Sequence, residues 1–197
     1  MKEILQLVEN EFTFDGVVNE RYVHTLGVVE KALELNKIHN LKIDEEKIIT
    51  AAAFHDIAKF LPKDKMNEIL LLHFNELYDG LVEYKSVWHS FVGSIYAKEK
   101  YDVKDDDVLN AIKYHTTGRP DMTDLEKIIF ISDYIEEKTR DGKTMVEARK
   151  IANQSLDDAV LYVLDATIKY LESKNQKIYE LTKKTYQFYL KKVRKNV

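Results

Sequence analysis

Ala51-Ala52-Ala53-Phe54-His55-Asp56-Ile57-Ala58-Lys59-Phe60 is the stretch on which the reading of this chain turns. Its left flank is small and apolar, so a helix here is expected to be buried. A buried neighbouring histidine and aspartate cost free energy unless they are paired or bound to a metal. Successive residues on a helix point about 100° apart, so the pair can grip two sides of one metal cluster, His55 on one ion and the Asp56 carboxylate as a bridge. Lys59 follows on the same helical side and offers a point charge to phosphate oxygens. Alone, such a dipeptide is more simply a hydrogen-bonded pair near a helix end.

The pair is not alone. Upstream, Arg21 and His24 stand three residues apart in RYVHTLGVV (21–29), with His24 among apolar neighbours. Downstream, His89 lies in VWHSFVGSIYA (87–97), where Ser90 and Gly93 leave room for a close approach. His115 ends a helical stretch at the break Thr116-Thr117-Gly118-Arg119-Pro120, whose hydroxyls, glycine and arginine suit an anion. Asp133 sits in the apolar segment IIFISDYIEEK (128–138) and needs a partner there. Together these four histidines and two aspartates suffice for two ions of octahedral tendency. Asp56 would bridge, His24, His55 and Asp133 would complete one ion, and His89 and His115 the other. Imidazole with carboxylate suits iron, manganese, zinc or cobalt. His39 and His73 stand in settings that read as structural or surface.

Composition agrees with a helical protein. The 197 residues are 45% hydrophobic, with only 6 Gly and 2 Pro, which leaves little punctuation for an all-β fold. There is no cysteine, so a metal must be held by nitrogen and oxygen. A net charge of −4 gives no global basic field for nucleic acid. The opening MKEILQLVENEF reads as an amphipathic helix rather than a signal peptide, and no apolar run approaches membrane-spanning length, so a cytoplasmic protein without a membrane partner is expected. Periodicity predicts helices over 19–39, from a cap at Asp44 to about Phe60, then over 63–78, 84–101, 105–115, 124–140, 144–172 and 176–193. Pro62 ends or starts a helix, and Thr123 with Glu126 forms a capping box. The last helix is lysine-rich, read as a solvated face suited to its C-terminal dipole. Its aromatics Tyr179, Tyr186, Phe188 and Tyr189 could serve a homodimer, although packing on their own domain is the simpler account.

The order His24, His55-Asp56, His89, His115, Asp133 resembles the HD-domain metal phosphohydrolases. The stretches HDIAK and YHTTGRPDMTDLEKIIFISDYIE, with H-x-x-x-G at His89, are similar to the YqeK family of bacterial HD proteins, over about residues 18–172. The resemblance implies an all-α, single HD-domain helical bundle over 1–197 and a symmetrical bis(5'-nucleosyl)-tetraphosphatase, splitting diadenosine tetraphosphate into two ADP. It implies a two-metal centre, iron foremost, held by His24, His55, Asp56, His89, His115 and Asp133. Asp56 and Lys59 are the expected catalytic residues, and Arg21, Lys59, Thr117, Gly118, Arg119 and Arg140 the expected contacts to the nucleotide. One departure stands out: the family usually has Pro after the Ile-Glu pair and then an arginine, whereas here Ile135-Glu136 is followed by Glu137-Lys138-Thr139, and Arg140 comes one residue late. The alternatives are another HD-domain nucleotide phosphohydrolase, which a substrate panel separates, and a metal-dependent nucleotide sensor, which would bind nucleotide without forming products.

Overall fold

The computed structural model describes residues 2–195. In chain order it has α1 (Lys2–Glu11), a hairpin of β1 (Thr13–Phe14) and β2 (Val17–Val18), α2 (Glu20–Ile38), α3 (Glu45–Phe54), α4 (Lys63–His73), α5 (Asn75–Leu81), α6 (Trp88–Tyr101), α7 (Asp106–Tyr114), α8 (Asp124–Ile135), α9 (Lys143–Ala152), α10 (Leu156–Ser173) and α11 (Glu180–Arg194). The all-α expectation holds apart from the hairpin. Its turn is Asp15-Gly16, both with positive φ, the backbone that a two-residue hairpin turn requires.

α8 lies at the centre. Every residue from Leu125 to Ser132 is buried, as expected of a helix surrounded on all sides, and α2, α3, α7, α9 and α10 pack around it. Thr123 caps it in the expected capping box with Glu126. The main core joins Val28, Leu35, Ile48, Ile112, Ile128 and Val160. A smaller core under α4–α6 holds Met66, Leu70, Leu81, Trp88 and Phe91.

Several helices stop earlier than periodicity predicts. α3 ends at Phe54, not near Phe60, because the amides of Ile57, Lys59 and Leu61 bond three residues back. His55 and Asp56 therefore sit on a tightened turn just past the helix. The 63–78 stretch breaks at Phe74, between α4 and α5. The long 144–172 helix is two, parted where Ser155 caps α10 by accepting from Asp158 N at 3.2 Å. α8 stops at Ile135 rather than about 140, since Glu136 turns extended and its carboxylate accepts from the Lys138 and Thr139 amides.

Candidate metal centre

Five segments deliver the donors. Asn19 caps α2 through Arg21 N at 2.9 Å, and one turn on α2 carries His24. The turn after α3 carries His55 and Asp56, the first turn of α6 carries His89, the end of α7 carries His115, and the last turn of α8 carries Asp133. His24, His55, Asp56, His89 and His115 are all buried.

The imidazoles are aimed from behind. His55 Nδ1 donates to Ala52 O at 2.6 Å, and His115 Nδ1 to Ile112 O at 2.7 Å. His24 Nδ1 meets Glu136 Oε1 at 3.0 Å. A carbonyl can only accept, so the proton of a neutral His55 or His115 ring sits on Nδ1 and Nε2 presents a lone pair inward; His24 has a carboxylate at each nitrogen, and a cation at Nε2 would leave its proton on Nδ1 toward Glu136. This is the usual outer support of a metal-bound histidine.

The inward atoms form two groups, His24 with His55 and Asp133, and Asp56 with His89 and His115, and each group's donor atoms lie within 4.8 Å of one another. Asp56 faces both. Its Oδ2 is 3.5 Å from His55 Nε2, while its Oδ1 is 3.2 Å from His89 Nε2 and 3.7 Å from His115 Nε2. His24 Nε2 stands 2.9 Å from Asp133 Oδ1, and His89 Nε2 3.3 Å from His115 Nε2. No hydrogen bond reaches His55 Nε2 or Asp56 Oδ1, although both are buried. Orphaned, convergent nitrogen and oxygen donors are what a cation would satisfy, so the residues fit a metal ion in each group.

The carboxylates are primed to stay charged. Burial pushes the Asp56 carboxyl up, but the surrounding imidazoles outweigh it and hold it well below the usual range. The same contest, decided mainly by His24, lowers Asp133. Burial also drives the His89 imidazole down to about 4, against the pull of Asp56, so it is a free ligand at neutral pH.

Three cations rim the cluster. Arg21 Nη1 is 3.0 Å from Asp56 Oδ2, Lys59 Nζ is 3.4 Å from Asp56 Oδ1 and 3.1 Å from His89 Nε2, and Arg140 reaches the Asp133 carboxylate and carbonyl at 3.3 and 3.2 Å. The late Arg140 is carried to the site because the 136–140 turn is pinned from two sides. Glu136 gathers amides inside it, and Arg149 donates to the carbonyls of Ile135, Glu136 and Arg140.

The rest of the expected anion-binding break points elsewhere. Thr117 is buried and donates to Gly118 O. Gly118 has φ +60, and a Cβ there would come within 2.8 Å of Thr185 on α11, so its role is to let that helix close in. Arg119 pairs with Glu126 at 2.8 Å and borders a separate cavity near Tyr114 and Tyr179. Thr116 is the hydroxyl at the cluster, 3.0 Å from His115 Nε2. Gly93 brings α6 against the His55 carbonyl and Ile112. His39 bonds Ala152 O and His73 pairs with Glu99, both away from the cluster. Glu136 and Arg149 were not picked out by sequence reasoning. Glu136 had a signal, a carboxylate one turn past Asp133.

A family model described as the HD domain matches residues 21–168. The chain belongs to the HD-domain family. Among HD relatives, it is 37% identical to a Bacillus subtilis protein named bis(5'-nucleosyl)-tetraphosphatase, symmetrical, over 95% of this chain and 96% of that one. It is 40% identical to a protein of the same name from Halalkalibacterium halodurans, over 92% of each. A crystal structure from Clostridium acetobutylicum, described as a predicted HD superfamily hydrolase involved in NAD metabolism, superposes with a TM-score of 0.87 at 38% identity, over 97% of both chains.

Proposed function

We propose that this chain is a symmetrical bis(5'-nucleosyl)-tetraphosphatase, hydrolysing diadenosine tetraphosphate to two ADP at a centre of two metal ions, iron foremost, with manganese, cobalt and zinc as alternatives. The observation that carries the reading is the division of six donors into two groups of three, with Asp56 turning Oδ2 toward His55 and Oδ1 toward His89 and His115. The names of its HD relatives, matched over nearly their whole lengths, supply the substrate.

His24, His55 and Asp133 would hold one ion, His89 and His115 the other, with Asp56 between. When bound, such ions supply Lewis acidity to phosphate oxygens and let water attack at neutral pH. Two carboxylates neutralise only half the charge of two divalent ions, and Arg21, Lys59 and Arg140 add three cations, which suits a polyanion. All three side chains are about a third exposed, so they can turn from the carboxylates to a ligand arriving from solvent and neutralise charge growing on the phosphoryl oxygens. The bond that breaks is the central P–O–P bridge, the water oxygen remaining on one ADP and the bridging oxygen on the other. Lys59→Ala is expected to keep its metal and lose on the order of 100-fold in rate, read by elemental analysis beside turnover. Loss of metal in that variant would make Lys59 structural.

The test is to incubate metal-loaded protein with diadenosine tetraphosphate and separate the products by ion exchange. ADP alone supports the reading. ATP with AMP would refute the cleavage position, and no product would refute the activity.

A further inference from the structure

A cavity of about 610 Å³ lies between α8, α9 and α10, lined by Tyr134, Arg140, Met145, Tyr162, Asp165 and Tyr170 among others. Its volume falls in the range of small-molecule sites, about 300–1,000 Å³, and its walls combine three tyrosines and Met145 with the charged Arg140, Asp165 and Lys169. Two features join it to the metal centre. Tyr134 directly follows the donor Asp133, and Arg140 both borders the cavity and touches the Asp133 carboxylate. A ligand lying from the cluster into the cavity would therefore pass its anionic part over Arg140 before reaching the tyrosines. Tyr162, Asp165, Ala166 and Tyr170 share one face of α10, at helical spacing. Tyrosine faces offer stacking to a flat base. The Asp165 carboxylate, held by Lys169 at 2.6 Å, keeps lone pairs for a base edge that donates an amino hydrogen.

We propose that this cavity holds one nucleoside of the substrate, its base among Tyr134, Tyr162 and Tyr170 and its first phosphates on Arg140. The proposal rests on the functional reading above and adds where one end of the dinucleotide lies.

The test compares ADP with inorganic pyrophosphate, titrated calorimetrically into the metal-loaded full chain as wild type, Ala166→Trp, which fills the cavity, and Tyr170→Ala, which removes an exposed wall. Wild type is expected to bind ADP at least about tenfold more tightly than pyrophosphate. Ala166→Trp should bring that ratio close to one, and Tyr170→Ala should lower it roughly fivefold. Equal binding of the two ligands by wild type overturns the proposal, as does a folded Ala166→Trp that keeps the full ratio. If Ala166→Trp does not fold, an unchanged ratio in Tyr170→Ala overturns it. Turnover of diadenosine tetraphosphate by wild type reports on the functional reading separately. Turnover with an unchanged ratio removes the cavity and leaves that reading, while no turnover with a ratio that falls as expected removes the reading and leaves a nucleoside cavity.

Discussion

His24 lies between two carboxylates, Glu136 behind it and Asp133 before it. The second contact makes sense with a cation between the donors, and the first fixes which nitrogen faces that cation. Glu136→Gln keeps the shape but weakens the acceptor, so metal affinity is expected to fall about 10–100-fold; chelator competition measures it, and unchanged affinity would mean that the Glu136 contact does not tune His24. His89 carries a pH effect. Its imidazole titrates at about 4 in the fold against an ordinary 6.5. Between these values the unfolded chain binds the extra proton, so stability falls as pH drops through the window and is flat in this respect above it. Metal-free protein should lose on the order of 3 kcal/mol from this group across the window, read by urea unfolding at stepped pH; a stability constant over that range would contradict the burial argument. The inward histidines and aspartates were legible because each is a polar residue in apolar surroundings. Thr116 and Thr117 were not separable, since which of two adjacent hydroxyls turns inward depends on the local backbone after α7.

At the scale of elements, the site depends on how closely α2 approaches the turn after α8. Gly27 stands where a Cβ would overlap the Glu136 carboxylate. Gly27→Ala is expected to push Glu136 off His24, costing about 1–3 kcal/mol in stability and weakening metal binding with it; thermal unfolding with and without metal measures both, and a variant with wild-type values in each would show that the packing yields freely. Helix identities were legible from apolar spacing and caps, most clearly the Thr123–Glu126 box. Helix ends were not. The turn at His55 and the stop at Ile135 are set by backbone bonds and by a carboxylate that folds back on its own chain, and hydrophobic periodicity carries no trace of either.

At the scale of the whole molecule, the bundle converges polar donors from α2, α6, α7, α8 and the turn after α3 on one interior point. α11 closes over the Gly118 break, where buried Tyr189 accepts from Met122 N at 3.1 Å. Tyr179 meets Tyr84 and Phe91, and Tyr186 and Phe188 lie partly buried against the main core, so each of these aromatics has packing partners within the chain. No helix of the described residues is long and apolar enough to cross a membrane. The division of the donors into His24, His55 and Asp133 on one side of Asp56 and His89 and His115 on the other was legible in the sequence as an expectation; the distances between the donors required the fold. That division is the central claim, and elemental analysis of Asp56→Ala beside wild type, with diadenosine tetraphosphate turnover on the same samples, tests it most directly. Two metal ions per wild-type chain, with loss of metal and of nearly all turnover in the variant, is the predicted result; an Asp56→Ala protein with wild-type metal content and rate would contradict it.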